Sequence, residues 1–208
     1  MQVIAGVAYE AMASVNEGGQ PRRAVNEIPD LKSVLVSQIR QGLRDSSWIQ
    51  RKEVPAWWLG YIVLAAYYPN DLEVEDLLVD SVDALPGTTG DFMEFLTLGK
   101  FDSERVTELR YAMAMNADPT IALKAIRGIG RTRPEDGLDA LVRALSRQDN
   151  ALAEVFEAFA AYGEAAVPFS FILEARFAEV QSDLPEPLTN ISLQRMQESL
   201  ERIAALKE

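Results

Sequence analysis

The chain has 208 residues, 32 acidic against 20 basic for a formal net charge of −12, and neither cysteine nor histidine. At 48% apolar and 25% charged residues it reads as a folded chain long enough to enclose a core. The absences exclude disulfides, thiol nucleophiles, Cys or His zinc sites and histidine acid–base pairs. The negative charge argues against nucleic acid or an anionic membrane as partner.

The pattern is helical along nearly its whole length. Residues 1–29 read as an N-terminal helix and a linker, the latter marked by Gly18-Gly19, Pro21 and Pro29. The start lacks the basic residues and long apolar run of a secretory signal, so the cytoplasm is the expected compartment. Asp30 opens a helix carrying Leu31, Val34, Leu35, Ile39 and Leu43. Pro55 opens one with Trp58, Ile62 and Ala65; its apolar stretch, Val54 to Tyr68, is too short to span a bilayer and is expected in the core. Asp71 caps the next helix, whose apolar face is Val74, Leu77, Leu78 and Leu85. Leu85 to Gly90 reads as a loop, Asp91 to Leu98 as a short helix, and Asp102 or Ser103 as the cap of a helix with Val106, Leu109 and Met113.

The pattern is cleanest from Asp118-Pro119 onward. Aspartate suits the N-cap and proline the first helical position, where its missing N–H would be unpaired anyway. Ala122, Ala125, Ile126 and Ile129 then fall on one face, and Gly128 and Gly130 are expected at a left-handed C-terminus. Pro134 opens a helix with Leu138, Leu141, Val142 and Leu145. Asp149 caps one with Leu152, Val155, Phe156 and Phe159, closed by Gly163. A fourth, from Glu164, would bury Val167, Phe171, Ile172 and Ala175. Residues 182–190 form a second linker, and a final helix, 191–206, sets Leu193, Met196, Leu200 and Ile203 in a heptad seam. That seam either covers the preceding helices or forms a homodimer.

The stretch from Asp118 to Gly130 repeats as Asp149 to Gly163. The capping aspartates are 31 residues apart and the closing glycines 33. A helical pair of that size cannot bury its own apolar face and must stack on neighbours. The aspartate before the second helix, the alanine and aliphatic residues after it, the closing glycine and the Leu-x-x-Leu core of the next helix resemble the HEAT repeat family, in the shorter HEAT-like form of phycobilisome-lyase-type proteins. The resemblance is carried by residues 102–179 and extends to Asp30 by helix count and length alone; the helical repeats, 30–181, are best defined at 102–181. It implies an all-α fold, an α-α superhelix of stacked antiparallel helix pairs forming a single domain; the alternative is an irregular all-α bundle.

Three constellations stand out. Lys124, Arg127 and Arg131 form a basic stripe opposite the apolar face, and Arg133 adds a fourth charge. The stripe is either a docking surface for an acidic partner or a solvated face paired with acids on neighbouring helices; the resemblance favours docking, since the second helix of a HEAT pair lines the concave surface. Asp71, Glu73, Glu75, Asp76, Asp80, Asp83, Asp91 and Glu94 form a run of acids without an intervening base. A calcium loop would need glycine at the sixth position, where Asp76 stands, so Asp76, Asp80 and Asp83 read as a solvated face or a surface for a basic partner. Trp57, Trp58 and Tyr61 lie among further aromatics, as core or as an interface edge. The dinucleotide and phosphate-loop patterns both fail at their required positions. No catalytic, metal or cofactor site is expected. The sequence points to a non-catalytic protein-interaction module, with the immunity or inhibitor type that neutralises a basic protein as a special case; the resemblance implies a lyase acting on a tetrapyrrole as the competing class.

Overall fold

A computed structural model describes residues 30–44, 58–183 and 188–206. Among them the protein is all-α, without strand. The chain divides into two compact units, Met1–Phe101 and Asp102–Glu208, each with its own core. The boundary falls where the sequence repeat becomes clear.

The first unit contains α1 (Leu31–Arg44), α2 (Trp58–Tyr67), α3 (Leu72–Ala84) and α4 (Thr89–Leu98). Helix α1 buries Leu31, Leu35, Val36 and Ile39, a one-sided stripe. It seats them against α2 at Gly60, where an added Cβ would lie 3.3 Å from Ile39 Cδ1. Asp71 caps α3 as expected, accepting the amides of Glu73 and Val74. Burial pushes the Asp71 carboxyl up, but hydrogen bonds from Lys32 and from those two amides outweigh it and hold it below the usual carboxylate range. The expected loop at 85–90 is instead a 3₁₀ turn, Pro86–Thr88, running straight into α4. Thr88 Oγ1 donates to the Leu85 carbonyl there, giving that backbone group a local partner.

The second unit contains α5 (Glu104–Ala114), α6 (Pro119–Thr132), α7 (Gly137–Ala144), α8 (Ala151–Ala161), α9 (Ser170–Ser182) and α10 (Asn190–Ala204). Helix α8 is the hub. It packs on α6 along one side and α10 along the other, with α5 backing α6, α7 backing α8 and α9 backing α10. Its sequence allows this: of eleven residues, only Glu157 and Ala161 are not buried.

Asp118 caps α6, accepting the amide of Thr120 at 2.8 Å. At α8 the N-cap position falls on Asn150, and Asp149, one residue earlier, accepts the amide of Ala151 at 3.0 Å. The glycines behave differently from the expectation. Gly128 and Gly130 lie inside α6, which continues to Thr132, and the left-handed residue that ends it is Arg133 (φ 51°). Gly130 instead permits close approach, because a Cβ there would sit 3.0 Å from the Ala158 Cα. Gly163 is left-handed (φ 61°), as a closing glycine should be.

Two further boundaries move. Pro134 does not open α7; its carbonyl accepts from the Gly137 amide and from Tyr162 Oη, and the helix begins at Gly137. The expected face Val167–Phe171–Ile172–Ala175 is not the buried one. Residues Gly163–Phe169 form a 3₁₀ run containing Pro168, and α9 starts only at Ser170. Three residues per turn instead of 3.6 rotates the phase. Leu173 and Val180 are therefore buried, while Phe171 is 77% exposed. Thr189 caps α10 in a reciprocal box with Ser192. Met196 and Ile203 of its seam are fully buried within the chain, and Leu193 and Leu200 are half-buried.

Candidate functional site: the charged face of the α6–α8–α10 layer

Glu154 and Glu157 are the only charged residues of α8. A carboxylate in so apolar a helix needs a cationic partner, because burying it alone is costly. Glu154 is 5% exposed and accepts from two guanidinium nitrogens of Arg127 on α6, Nε at 3.1 Å and Nη2 at 3.3 Å. Arg195 of α10 donates Nη2 to Glu154 at 3.0 Å and clasps Glu157 with two bonds of 2.6 and 2.7 Å. These forked, charge-assisted pairs are the strong geometry for Arg with carboxylate. The hydrogen bonds to Glu157 raise the Arg195 guanidinium further above its already high ordinary range, against an opposing effect of burial, and Glu154 adds to the rise.

Beside this network runs a groove of about 350 Å³. Gly130, Ala158 and Ala161 form its floor, and Arg131 of α6 and Arg202 of α10 stand on its sides with Arg127 and the two glutamates. The basic stripe is thus partly paired and partly open: Arg127 is tied to Glu154, Arg131 and Arg133 are exposed, and Lys124 is half-buried. Arg195, Arg202, Glu154 and Glu157 escaped the sequence reading. The signal available was the pair of acids in an otherwise apolar helix.

The acid run of the first unit also splits. Asp71 and Glu73 pair with Lys32 at 2.9 and 3.3 Å, and Arg40 reaches Glu73 at 3.4 Å. Glu75 is buried, whereas Asp76, Asp80 and Asp83 are exposed at i, i+4 and i+7 on α3. No group of acids among the described residues is arranged to hold a metal ion.

The aromatics close on one another. Trp58, Tyr61, Phe92 and Phe95 form a cluster with centroids 5.0–6.2 Å apart, mostly edge to face. Tyr61 is fully buried and its hydroxyl shares a 2.7 Å hydrogen bond with Ser81 Oγ, so it packs the core rather than an interface edge. Burial pushes its phenol well above the ordinary range, opposed only by the Ser81 bond. Trp58 is half-buried in the same cluster, and Trp57 lies outside the described residues.

Arg147 forms a separate, interior constellation. Nη1 donates to the carbonyls of Ala114 and Asn116 at 3.1 and 2.9 Å, at the end of α5. Nε donates to Asp149 Oδ1 at 3.0 Å, and Nη2 to Asp149 Oδ2. One side chain thereby satisfies carbonyls at the end of one helix and orients the carboxylate that receives the first amide of another.

The fold and these sites define an all-α protein with a cluster of charged side chains on the α6, α8 and α10 helices of its second unit. Comparison with protein-family models, with curated proteins and with solved structures finds no match to the chain. No single described helix is long and apolar enough to cross a membrane.

Proposed function

We propose that the chain is a non-catalytic protein-interaction module, in which α5/α6, α7/α8 and α9/α10 are HEAT-like pairs stacked as a short α-solenoid. The observation that carries this reading is the layer of α6, α8 and α10, whose charged side chains and small-residue groove lie open on one face. In a stack of helix pairs such a face is the natural binding surface, because it is continuous and rigidly backed by the outer helices. Site-specific photo-crosslinking tests it. A benzoylphenylalanine at Ala161, which lines the groove, is expected to capture a protein that the same group at the exposed positions Ala112 of α5 and Ala175 of α9 does not. Capture from the outer positions alone would overturn the reading.

A second reading, binding of a basic protein in the manner of an immunity protein, draws on the exposed Asp76, Asp80 and Asp83. A row of like charges speeds association with a cationic partner and makes the rate salt-dependent. The triple amide variant D76N/D80N/D83N should slow capture of a basic partner at low salt; an unchanged rate would remove α3 as the steering surface.

A further inference from the structure

We infer that the groove between α6, α8 and α10 is an anion-recognition site, built to take the carboxylates of an acidic peptide segment between Arg131 and Arg202. This rests on the protein-interaction reading and names the chemistry of its partner.

The argument is one of charge balance within the groove. Glu154 and Glu157 carry two negative charges, and both are answered by the forked guanidiniums of Arg127 and Arg195. The carboxylates are thereby neutralised and held down against α8. Arg131 and Arg202 line the same groove, on opposite helices, and neither makes an ion pair among the described residues. The groove is thus left with two exposed guanidinium forks in a protein whose overall charge is −12. Arginine forks match carboxylates geometrically and donate two parallel bonds. Of the small residues that line it, Gly130 and Ala158 are buried and Ala161 is half-buried, so none of the three projects a long side chain into the groove. A chain so acidic repels polyanions in general, which makes binding of one a local property of this surface. Its floor offers no aromatic platform on which nucleic-acid bases could stack, which favours a peptide over a single strand.

The test uses the full chain and a fluorescein-labelled octaglutamate peptide followed by anisotropy at low ionic strength. Wild type should bind, and R131E/R202E should bind at least about tenfold more weakly, since each reversal removes an attraction and adds a repulsion. The control R105E/R143E changes the net charge by the same amount at exposed positions of the second unit that do not line the groove and should retain binding. Circular dichroism melts should show all variants folded. Absence of binding by wild type, or equal loss in the control, overturns the inference. Competition by inorganic phosphate at equal concentration would make this a small-anion site, and stronger competition by oligothymidylate a nucleic-acid site; either result overturns the peptide assignment. The two readings fail separately. A partner crosslinked at Ala161 with no octaglutamate binding keeps the module and removes the anion site. Octaglutamate binding without a crosslinked partner does the reverse.

Discussion

Replacing Arg147 with alanine should be among the most damaging single changes in the second unit. The side chain is 7% exposed and connects two segments, the end of α5 through Ala114 and Asn116 and the start of α8 through Asp149; the backbone carbonyl, which accepts Arg176 Nη2 at 2.8 Å, is kept in the alanine variant. Truncation leaves the fully buried Ala114 without its charged donor, and frees Asp149 from the cation that orients it. A hydrogen bond to a charged group is worth roughly 1.5–3 kcal/mol, and breaking a buried pair costs about 3–5 kcal/mol. Asp149 is 24% exposed and Asn116 only half-buried, so water answers part of the loss. The expected cost is about 3–4 kcal/mol. For a chain of this size that corresponds to a fall in Tm of about 10 °C. Urea denaturation followed by far-ultraviolet circular dichroism is the assay, with Arg147→Lys as comparator. Lysine keeps the charge but cannot fork onto Asp149 while also reaching two carbonyls, so it should recover less than half of the loss. A cost below about 1 kcal/mol for the alanine variant, or full recovery by lysine, would refute the account.

Three further outcomes are expected. Gly137→Ala should destabilise by about 2–4 kcal/mol, because the new methyl would fall 1.8 Å from Tyr162 Oη and displace its bond to the Pro134 carbonyl; a melt equal to wild type would show that Tyr162 can move aside. Gly99→Ala should cost about 1–3 kcal/mol although its backbone (φ −75°) suits alanine, since the methyl would lie 2.1 Å from the buried Phe101 ring; neutral behaviour in urea would count against a rigid ring there. The Lys32–Asp71 pair should shape both ends of the stability–pH curve. The Asp71 carboxyl is lowered in the folded state, so its contribution is present above the unfolded carboxylate range and is lost as pH falls through the folded value. The Lys32 amine is raised, chiefly by its hydrogen bond to Asp71, so its contribution is complete below the unfolded lysine range and is lost as pH rises through the folded value. Lys32→Met should therefore flatten both limbs in chemical denaturation from pH 3 to pH 11; unaltered limbs would exclude the pair as their source.

Local chemistry was legible in the sequence. Asp71, Ser103, Asp118 and Asp149 each receive an amide two or three residues ahead, and nothing distant is needed to place them. Phase was less secure. The face of α9 was misplaced because the 3₁₀ run before it winds more tightly, and no single residue announces that change beyond Pro168. The role of Gly130 was misread for a related reason: glycine fits a left-handed end and a close helix contact equally well, and only Ala158, distant in sequence, decides between them. The basic stripe was visible as residues of α6, but its division into paired and open members depends on carboxylates 27 residues on and a second arginine beyond those. Aromatic clustering was evident near Trp58, while the partners that enclose Tyr61, Phe92 and Phe95, belong to a different helix.

Glu154 ties two helices to a third through one carboxylate, with Oε2 accepting from both Arg127 and Arg195. Changes on α6 and α10 are therefore not independent. Losing either arginine shifts the carboxylate toward the other, so the double variant R127A/R195A should cost a different amount from the sum of the single variants. A substitution at one wall of the groove should therefore change what a substitution at the other wall costs.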